Sequence, residues 1–278
     1  MKTVQSLSEL RRIRGDLPVP VGLVPTMGFL HDGHLSLVDL ARRQNSSVIT
    51  TIFVNPTQFG PQEDLEGYPR DIPRDLELLE KRGVDLVWIP DREEMYSKGF
   101  QTWVTVDDVT RFLEGKMRPG HFRGVTTIVA KLFNAVMPDK AYFGQKDAQQ
   151  VVVLRRMVMD LNYPIEIVVA PIVREEDGLA MSSRNVYLNP AERQAATVLF
   201  RALKTADQAF KAGNRDADGL KRIMEEIISS EELANLQYIS CADMDSLEEL
   251  SGQVNRGLLS MAVFIGKTRL IDNILIGI

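Results

Sequence analysis

The sequence is poor in cysteine and has no long apolar run. Cys241 is the one cysteine in 278 residues, which excludes an intramolecular disulfide and a cysteine-rich metal site. Its apolar neighbours in "YISCADM" favour a small buried hydrophobe over a reactive thiol. No stretch approaches the ~18 apolar residues of a membrane span, and residues 1–16 lack the apolar core of a signal peptide. We therefore expect a cytoplasmic protein that has no membrane partner.

An excess of positive charge is also missing. The formal net charge is −5, whereas general nucleic-acid binders usually carry a basic face that shows in their totals, so we expect no nucleic-acid partner. An anionic ligand would have to be held by a few local positive groups. With 44% hydrophobic and 26% charged residues, the chain has the composition of an ordinary globular protein.

Short β-branched runs alternate with helical patterns through the first two thirds of the chain. Strands are predicted at 21–26, 48–55, 84–90, 140–144 and 165–173, and helices at about 34–44, 72–82, 124–136 and 147–161. Such alternation is typical of βαβ units, so we predict an α/β fold with a Rossmann-like, doubly wound parallel sheet.

The pattern changes after about residue 175. A long helix is predicted at 191–212 and a second at about 215–229, followed by strands in "LQYISCADM", "LLSMAVFIG" and "RLIDNILIG". Helices followed by strands suggest a separate, smaller α+β domain. We therefore divide the chain into domains 1–175 and 176–278.

The segment "VPTMGFLHDGH" joins the first predicted strand to a helix. Asp32 is a plausible N-cap, and His31 and His34 are three residues apart, on the same side of the first turn. Gly28 and Gly33 carry no Cβ, which lets a ligand approach the backbone. The free N–H groups at a helix N-terminus favour an anion, so the segment suits phosphate.

Two other interpretations of the histidines remain open. They could be capping or packing residues, or they could form a metal site with His121. The positive helix end disfavours a cation, and we predict no metal-ligating residue. A nucleotide site, the third interpretation, predicts further polar groups at other strand ends, because ligands of open parallel sheets bind beyond the carboxyl ends of the strands.

Such groups follow three more predicted strands. They are Asn55 and Gln58 in "NPTQFG", Gly144, Lys146, Asp147 and Gln150 in "FGQKDAQQ", and Val173, Ser182, Ser183 and Arg184 in "VREEDGLAMSSRN". Together they offer donors for phosphate, an acid for ribose hydroxyls, and amides for a second small polar substrate.

Five segments, taken in order, carry a family resemblance. "PTMGFLHDGH", "FVNPTQFGPQEDLEGYPR", "RPGHFRGV", "FGQKDAQQ" and "REEDGLAMSSRN" together resemble the pantothenate synthetases, which are pantoate–β-alanine ligases. "HDGH" alone is the HxGH signature that nucleotidyltransferases and class I tRNA synthetases share. "FVNPTQFG" and "GLAMSSRN" are far more specific.

The resemblance implies a nucleotidyltransferase-like Rossmann domain, a smaller C-terminal domain that acts as a lid, and a homodimer. It also implies an activity, the ATP-dependent condensation of (R)-pantoate with β-alanine through a pantoyl adenylate. AMP and pyrophosphate would be released. Magnesium is expected on the β- and γ-phosphates, because phosphate oxygens can supply most ligands of this hard cation.

The resemblance also implies residue roles. The catalytic residues would be His31, His34, Lys146 and Arg184. The nucleotide would be bound by Met27, Gly28, His31, His34, Gly144, Gln145, Lys146, Asp147, Val173, Met181, Ser182, Ser183 and Arg184. The other substrates would be bound by Met27, Asn55, Gln58, His121 and Gln150. His121 is expected in a loop before a helix, where anchoring that loop is as good an interpretation as contacting substrate.

One departure from the family pattern concerns the metal. Where some members have an acidic pair and an amide, this chain has Arg74, Asp75 and Leu78, which argues against direct protein ligation of magnesium. Two rival functions stay open. One is a nucleotidyltransferase that leaves AMP on a phosphate acceptor, and the other is a non-catalytic nucleotide sensor.

Overall fold

The computed structural model describes residues 1–60 and 65–278, and its larger part is built on six parallel strands. The strands are β1 (Lys2–Val4), β2 (Val21–Thr26), β3 (Ser47–Ile52), β4 (Leu86–Trp88), β5 (Lys140–Gly144) and β6 (Glu166–Ala170). The helices between them are α1 (Leu7–Gly15), α2 (Asp32–Gln44), α3 (Ile72–Lys81), α4 (Arg92–Met95), α5 (Leu113–Met117), α6 (His121–Val136) and α7 (Ala148–Asp160).

Helices cover both faces of this sheet. Apolar residues of α1, α6 and α7 pack in one core with one face, and residues of α2 and α3 pack in another core with the opposite face. The central strand β3 is buried along its whole length, as expected of a strand that is covered on both sides. The doubly wound α/β fold is confirmed.

The strand order is β1-β4-β3-β2-β5-β6, so the winding reverses between β2 and β5. These two strands pair directly, with Gly22 opposite Lys140 and Leu23 opposite Ala141. A reversal of this kind opens a crevice at the carboxyl ends of the two strands, because their following segments turn to opposite sides. The "HDGH" helix and the turn that carries Lys146 follow these two strands.

The C-terminal part has its own apolar core. It contains α8 (Pro190–Ala195), α9 (Val198–Lys211), α10 (Ala217–Ser229) and an antiparallel sheet of β7 (Ala234–Ala242), β8 (Gly257–Ile265) and β9 (Thr268–Ile276). Cys241 is fully buried in this core, and burial raises the pKa of its thiol to about 11. The α+β character is confirmed, and the division at residue 175 stays a prediction.

Several predicted elements have different bounds. The helix predicted at 191–212 is two helices, since the chain between α8 and α9 tightens into turns that bond Thr197 N–H to the Gln194 carbonyl and Leu199 N–H to the Ala196 carbonyl. Strand β1 was not predicted, because three residues are too few to show a period. None of the helices in the described residues has both the length and the apolarity to cross a membrane.

Candidate active site

A cavity of about 250 Å³ lies at the carboxyl ends of the central strands, where the winding reverses. Most of the predicted site residues line it. They are Met27, His31, His34, Asn55, Gln58, His121, Gly144, Lys146, Asp147, Gln150, Val173, Met181, Ser182, Ser183 and Arg184. Gly28 and Gln145 are not among its lining residues.

The loop before α2 is held from behind by Asp75. This carboxylate is 0% exposed and accepts the N–H of Phe29 at 2.7 Å and the N–H of Leu30 at 2.8 Å. Burial raises its pKa, against the opposing effect of the two N–H groups. Gly28 (φ +85°) and Phe29 (φ 52°) adopt left-handed backbone in this turn. The role of Gly28 is thus to form the turn, for which glycine is suited.

Asp75 is fully buried, and each of its two oxygens accepts a backbone N–H. Arg74 donates to the Leu30 carbonyl at 2.9 Å. Within residues 1–60 and 65–278, no group of three or more His, Cys, Asp or Glu side chains could hold a metal.

The two histidines of "HDGH" cap helix α2 together. His31, not the predicted Asp32, is the N-cap, because its Nδ1 accepts the Gly33 N–H at 3.1 Å. His34 Nδ1 accepts the His31 N–H at 3.3 Å, and the two ring centroids are 4.0 Å apart. A Cβ on Gly33 would lie 2.8 Å from the His31 ring, so glycine is required there. The capping interpretation is confirmed, while both rings still line the cavity.

Burial keeps these imidazoles neutral. Burial, and to a smaller extent the nearby charge of Lys146, lowers the pKa of His31 to about 4. Burial also lowers the pKa of His34 to about 3, with smaller effects from His31 and then from Lys146. Since Nδ1 of each ring accepts a hydrogen bond, Nε2 must carry the proton. Each histidine is therefore an uncharged N–H donor at neutral pH.

Lys146 brings positive charge to the cavity. It lies in a short 3-10 helix, Gln145–Asp147, between the end of β5 and the start of α7. The side chain is half-buried, and no described residue forms an ion pair or hydrogen bond with its ammonium group. A flexible, strongly hydrated ammonium of this kind suits an incoming phosphate.

The segment that carries Ser182, Ser183 and Arg184 folds back onto the "HDGH" loop. Met181 N–H donates to the Val173 carbonyl at 3.0 Å, which closes the loop between them. Ser183 Oγ then donates to the Phe29 carbonyl at 3.3 Å. The serines and Arg184 are thereby brought to the same wall as the two histidines.

Amides line the other end of the cavity, where β3 ends. Asn55 is 1% exposed and caps the 3-10 helix Pro56–Gln58 through its Oδ1. Its Nδ2 donates to Gln58 Oε1 at 3.2 Å, and Gln58 Nε2 donates to Met27 Sδ at 2.9 Å. Asn55 therefore fixes the orientation of the Gln58 amide.

His121 anchors the same loop. It is the first residue of α6 and not part of the preceding loop, because Gly120, in left-handed conformation, ends that loop one residue earlier. Its Nδ1 lies 2.8 Å from the Gln58 carbonyl, and its Nε2 lies 3.1 Å from an Arg118 Nη1. A carbonyl only accepts and a guanidinium only donates, so the ring is the neutral Nδ1–H tautomer. This favours the anchoring interpretation of His121.

Sequence reasoning missed much of the lining, and two of the missed parts bear on the chemistry. Arg118 is not among the predicted site residues, yet it lines the cavity, and its place in "RPGHFRGV" was the available signal. The second part is an apolar wall from one side of α6, made by Val125, Ile128, Val129 and Leu132. The spacing of these residues is that of one helix face, which by itself indicates only a core-facing side.

Known proteins resemble this chain over its whole length. The sequence model of the family described as pantoate-beta-alanine ligase matches residues 1–275. The pantothenate synthetase of Roseiflexus sp. (strain RS-1) is 61% identical over 273 residues, covering 98% of each chain. That of Herpetosiphon aurantiacus is 57% identical over 275 residues, covering 99% of each.

Solved structures agree. The crystal structure of the pantothenate synthetase from Thermus thermophilus superposes with a TM-score of 0.95 at 48% identity, covering 99% of both chains. The ligase from Francisella tularensis, complexed with beta-gamma ATP and beta-alanine, superposes with a TM-score of 0.83 at 34% identity, covering 99% of this chain and 97% of that one. With the family model, these likenesses and the five shared motifs, the chain belongs to the pantoate–β-alanine ligase family.

Proposed function

We propose that this cavity activates (R)-pantoate with ATP as a pantoyl adenylate and then transfers the pantoyl group to the amine of β-alanine. One observation carries the proposal. The neutral imidazoles of His31 and His34 and the ammonium group of Lys146 line part of the cavity, and this ammonium forms no ion pair or hydrogen bond with the described residues. Amides and an apolar wall line the rest. A triphosphate and a small hydroxy acid require these two environments side by side.

In the first half-reaction, a carboxylate oxygen of pantoate attacks the α-phosphate, and the bond to the β-phosphate oxygen breaks. Pyrophosphate leaves with the electron pair. Negative charge increases on the phosphate oxygens, so catalysis consists of positioning and charge stabilisation. We assign this task to Lys146, Arg184 and the Nε2–H groups of His31 and His34, with hydroxyls from Ser182 and Ser183.

The nucleoside would lie along the ends of β5 and β6. Asp147 and the backbone of Gly144 are assigned to the ribose, and the backbone of Val173 to the adenine edge. Gln145 and Met181 adjoin these positions in the chain. Magnesium is assigned to the β- and γ-phosphates, because phosphate oxygens can supply most of the ligands of this hard cation.

The pantoate subsite is assigned to Gln58, Gln150 and Met27, with Asn55 holding Gln58. The apolar side of α6 suits the two methyl groups of pantoate, and the amides suit its hydroxyls and carboxylate. An amide binds a carboxylate without the strong ion pair that would reduce its nucleophilicity. Neutral donors are therefore appropriate where the carboxylate must attack.

In the second half-reaction, the deprotonated amine of β-alanine attacks the acyl carbon. The bond from that carbon to the phosphate oxygen breaks, the nitrogen gives up a proton to water, and AMP leaves with one oxygen that came from pantoate. Gln58 and His121, which line the same cavity, are assigned to the second substrate. The Francisella tularensis ligase, whose crystal structure contains beta-gamma ATP and beta-alanine, supports a site that holds both.

The test is a product analysis with labelled oxygen. Purified protein is given Mg-ATP and (R)-pantoate that carries ¹⁸O in its carboxylate, with and without β-alanine, and pyrophosphate and AMP are measured. We expect pantoate-dependent pyrophosphate, continued turnover only with β-alanine, and one ¹⁸O in the released AMP. ADP and phosphate as products, or AMP without label, would exclude the adenylate route. ATP binding with no product would favour the nucleotide sensor.

We also infer a homodimer, on the family resemblance. Size-exclusion chromatography with light scattering, over a dilution series, would measure the mass in solution. A particle of about twice the chain's 31.3 kDa is expected. A mass that stays at one chain at every concentration would contradict the dimer.

A further inference from the structure

The last strand of the small domain reaches the turn that carries Lys146. Asn273 of β9 is 3% exposed, and its Nδ2 donates to the carbonyls of Gln145 at 3.1 Å and Lys146 at 2.9 Å. Its Oδ1 accepts from Gln145 Nε2 at 3.1 Å. One side chain therefore makes three hydrogen bonds to two consecutive residues that lie about 130 positions earlier in the sequence.

The adjacent residue holds the other nucleotide-binding segment. Asp272 is 2% exposed and accepts two hydrogen bonds from Arg174, at 2.6 and 2.9 Å. Arg174 also donates to the Gly178 carbonyl at 3.1 Å, within the segment that leads to Ser182. Asp272 Oδ1 accepts the Asn273 N–H at 2.8 Å, which joins the two contacts. Strand β9 thus holds both the turn that carries Lys146 and the segment that leads to Ser182.

We propose that Asn273 is a positioning residue for adenylate formation, which sets the Lys146 ammonium against the phosphates by holding the backbone of its turn. The inference rests on the proposed function, since it requires Lys146 to act there. A 3-10 turn of three residues has few hydrogen bonds of its own, so its carbonyls need outside partners. Without Asn273 the base of the lysine side chain would shift, and a displacement of about 1 Å at a catalytic group can cost ~100-fold in rate.

Asn273→Asp tests this with almost no change in volume. The variant keeps an acceptor for Gln145 Nε2 but places an oxygen against two carbonyls. We expect kcat for pantoate-dependent pyrophosphate release to fall about 10- to 100-fold, while KM for pantoate changes less than about threefold. Asn273→Ala should lose about tenfold. Asn235→Asp and Asn235→Ala change an exposed asparagine on β7 of the same sheet, and should leave both constants unchanged.

A double-mutant cycle separates positioning from a general loss of structure. If Asn273 acts through Lys146, then Asn273→Asp should reduce the rate less than about threefold when Lys146 is already alanine. All rates are measured well below each variant's Tm. Equal effects in both backgrounds, or a normal rate for Asn273→Asp, would overturn the inference. If the aspartate variant does not fold, the same cycle with Asn273→Ala decides, and unfolding of both would also overturn it.

The double-mutant cycle also distinguishes failure of the positioning role of Asn273 from failure of the proposed function. A normal rate in Lys146→Ala would remove Lys146 from the mechanism, whatever Asn273 does. A large loss in Lys146→Ala together with a normal rate in Asn273→Asp would leave the proposed function intact and refute only the positioning role.

Discussion

The two ends of the cavity are built differently. At the end proposed to bind phosphate, which His31, His34 and Lys146 line, each histidine carries an Nε2–H donor, and the Lys146 ammonium has no ion-pair or hydrogen-bond partner among the described residues. At the amide end the groups are already engaged, since Asn55 orients Gln58 and both nitrogens of His121 have partners. Under the proposed function, donors without described partners lie where negative charge would develop in the reaction, whereas the groups at the other end are already held by hydrogen bonds.

Residues outside the lining hold each of the two ends of the cavity in a different way. Asp75 and Asn273 hold the phosphate end through backbone groups, and neither contributes its own charge or amide to the lining. At the amide end, Arg118 reaches Glu114, which is bound by Arg269 of β9 at 2.6 and 2.7 Å. Both ends are therefore braced by the small domain. Side chains of the two domains meet here in a polar contact.

The largest expected effect is at the phosphate end. Lys146→Ala should reduce pyrophosphate release at least ~100-fold, because it removes a cation that stabilises charge in the transition state. Single-turnover measurement with ATP and pantoate reports this step directly. Lys98→Ala, at an exposed lysine outside the cavity, is the matched control. A rate near that of the unchanged protein would show that the two ends do not differ as described.

His34 sharpens the comparison, because its proposed role needs an N–H and no charge. His34→Ala should lose at least ~100-fold in adenylate formation. His34→Gln, which can still donate an N–H, should stay within about tenfold of the unchanged enzyme. Equal losses in both variants would point to a requirement that only an imidazole meets.

For the amide Gln150, which is assigned to pantoate, the effect should fall on binding. Gln150→Ala should raise KM for pantoate about tenfold, the value of one lost hydrogen bond near 1.4 kcal/mol, and change KM for ATP less than about twofold. Gln208→Ala on an exposed part of α9 is the control. Equal weakening of pantoate and ATP would argue against assigning Gln150 to pantoate.

The sheet was predictable from sequence, because buried β-branched runs and intervening helices carry a strong local signal. The position of the site was predictable too, since parallel strands bring the segments after them to one edge. The N-cap was predicted wrongly as Asp32, because histidine seldom takes this role and its Nδ1 acceptor was not considered.

The supporting contacts were out of reach of sequence reasoning. Asp75 resembled a former metal ligand in the sequence, yet its depth of burial directs both oxygens to backbone N–H groups. Asn273 lies in an ordinary strand pattern, and its partners come from another domain. Such contacts depend on how distant elements pack, which local periodicity does not encode.

The smallest expected effect is an absent titration. The pKa values of His31 and His34 are lowered to about 4 and about 3, so both rings should stay in the neutral Nε2–H form from about pH 8 to pH 5. Their ring ¹⁵N chemical shifts should therefore change little over this range. In the unfolded chain both rings bind protons below about pH 6.5, so stability contributed by the neutral rings is present above that pH and decreases as the pH falls. The loss by pH 5 should be on the order of 1 kcal/mol per histidine after allowance for partial exposure.

Urea unfolding at pH 7 and pH 5 measures this loss. The His34→Gln variant lacks one of the two rings and should lose less stability than the unchanged protein over the same interval. Carboxylates such as Asp243, whose pKa is lowered by backbone N–H groups, contribute equally to both proteins and cancel in the difference. A ring titration near pH 6.5 in the folded protein would make the histidines cationic below that pH, and the phosphate end would then attract its ligand by charge rather than by neutral donors.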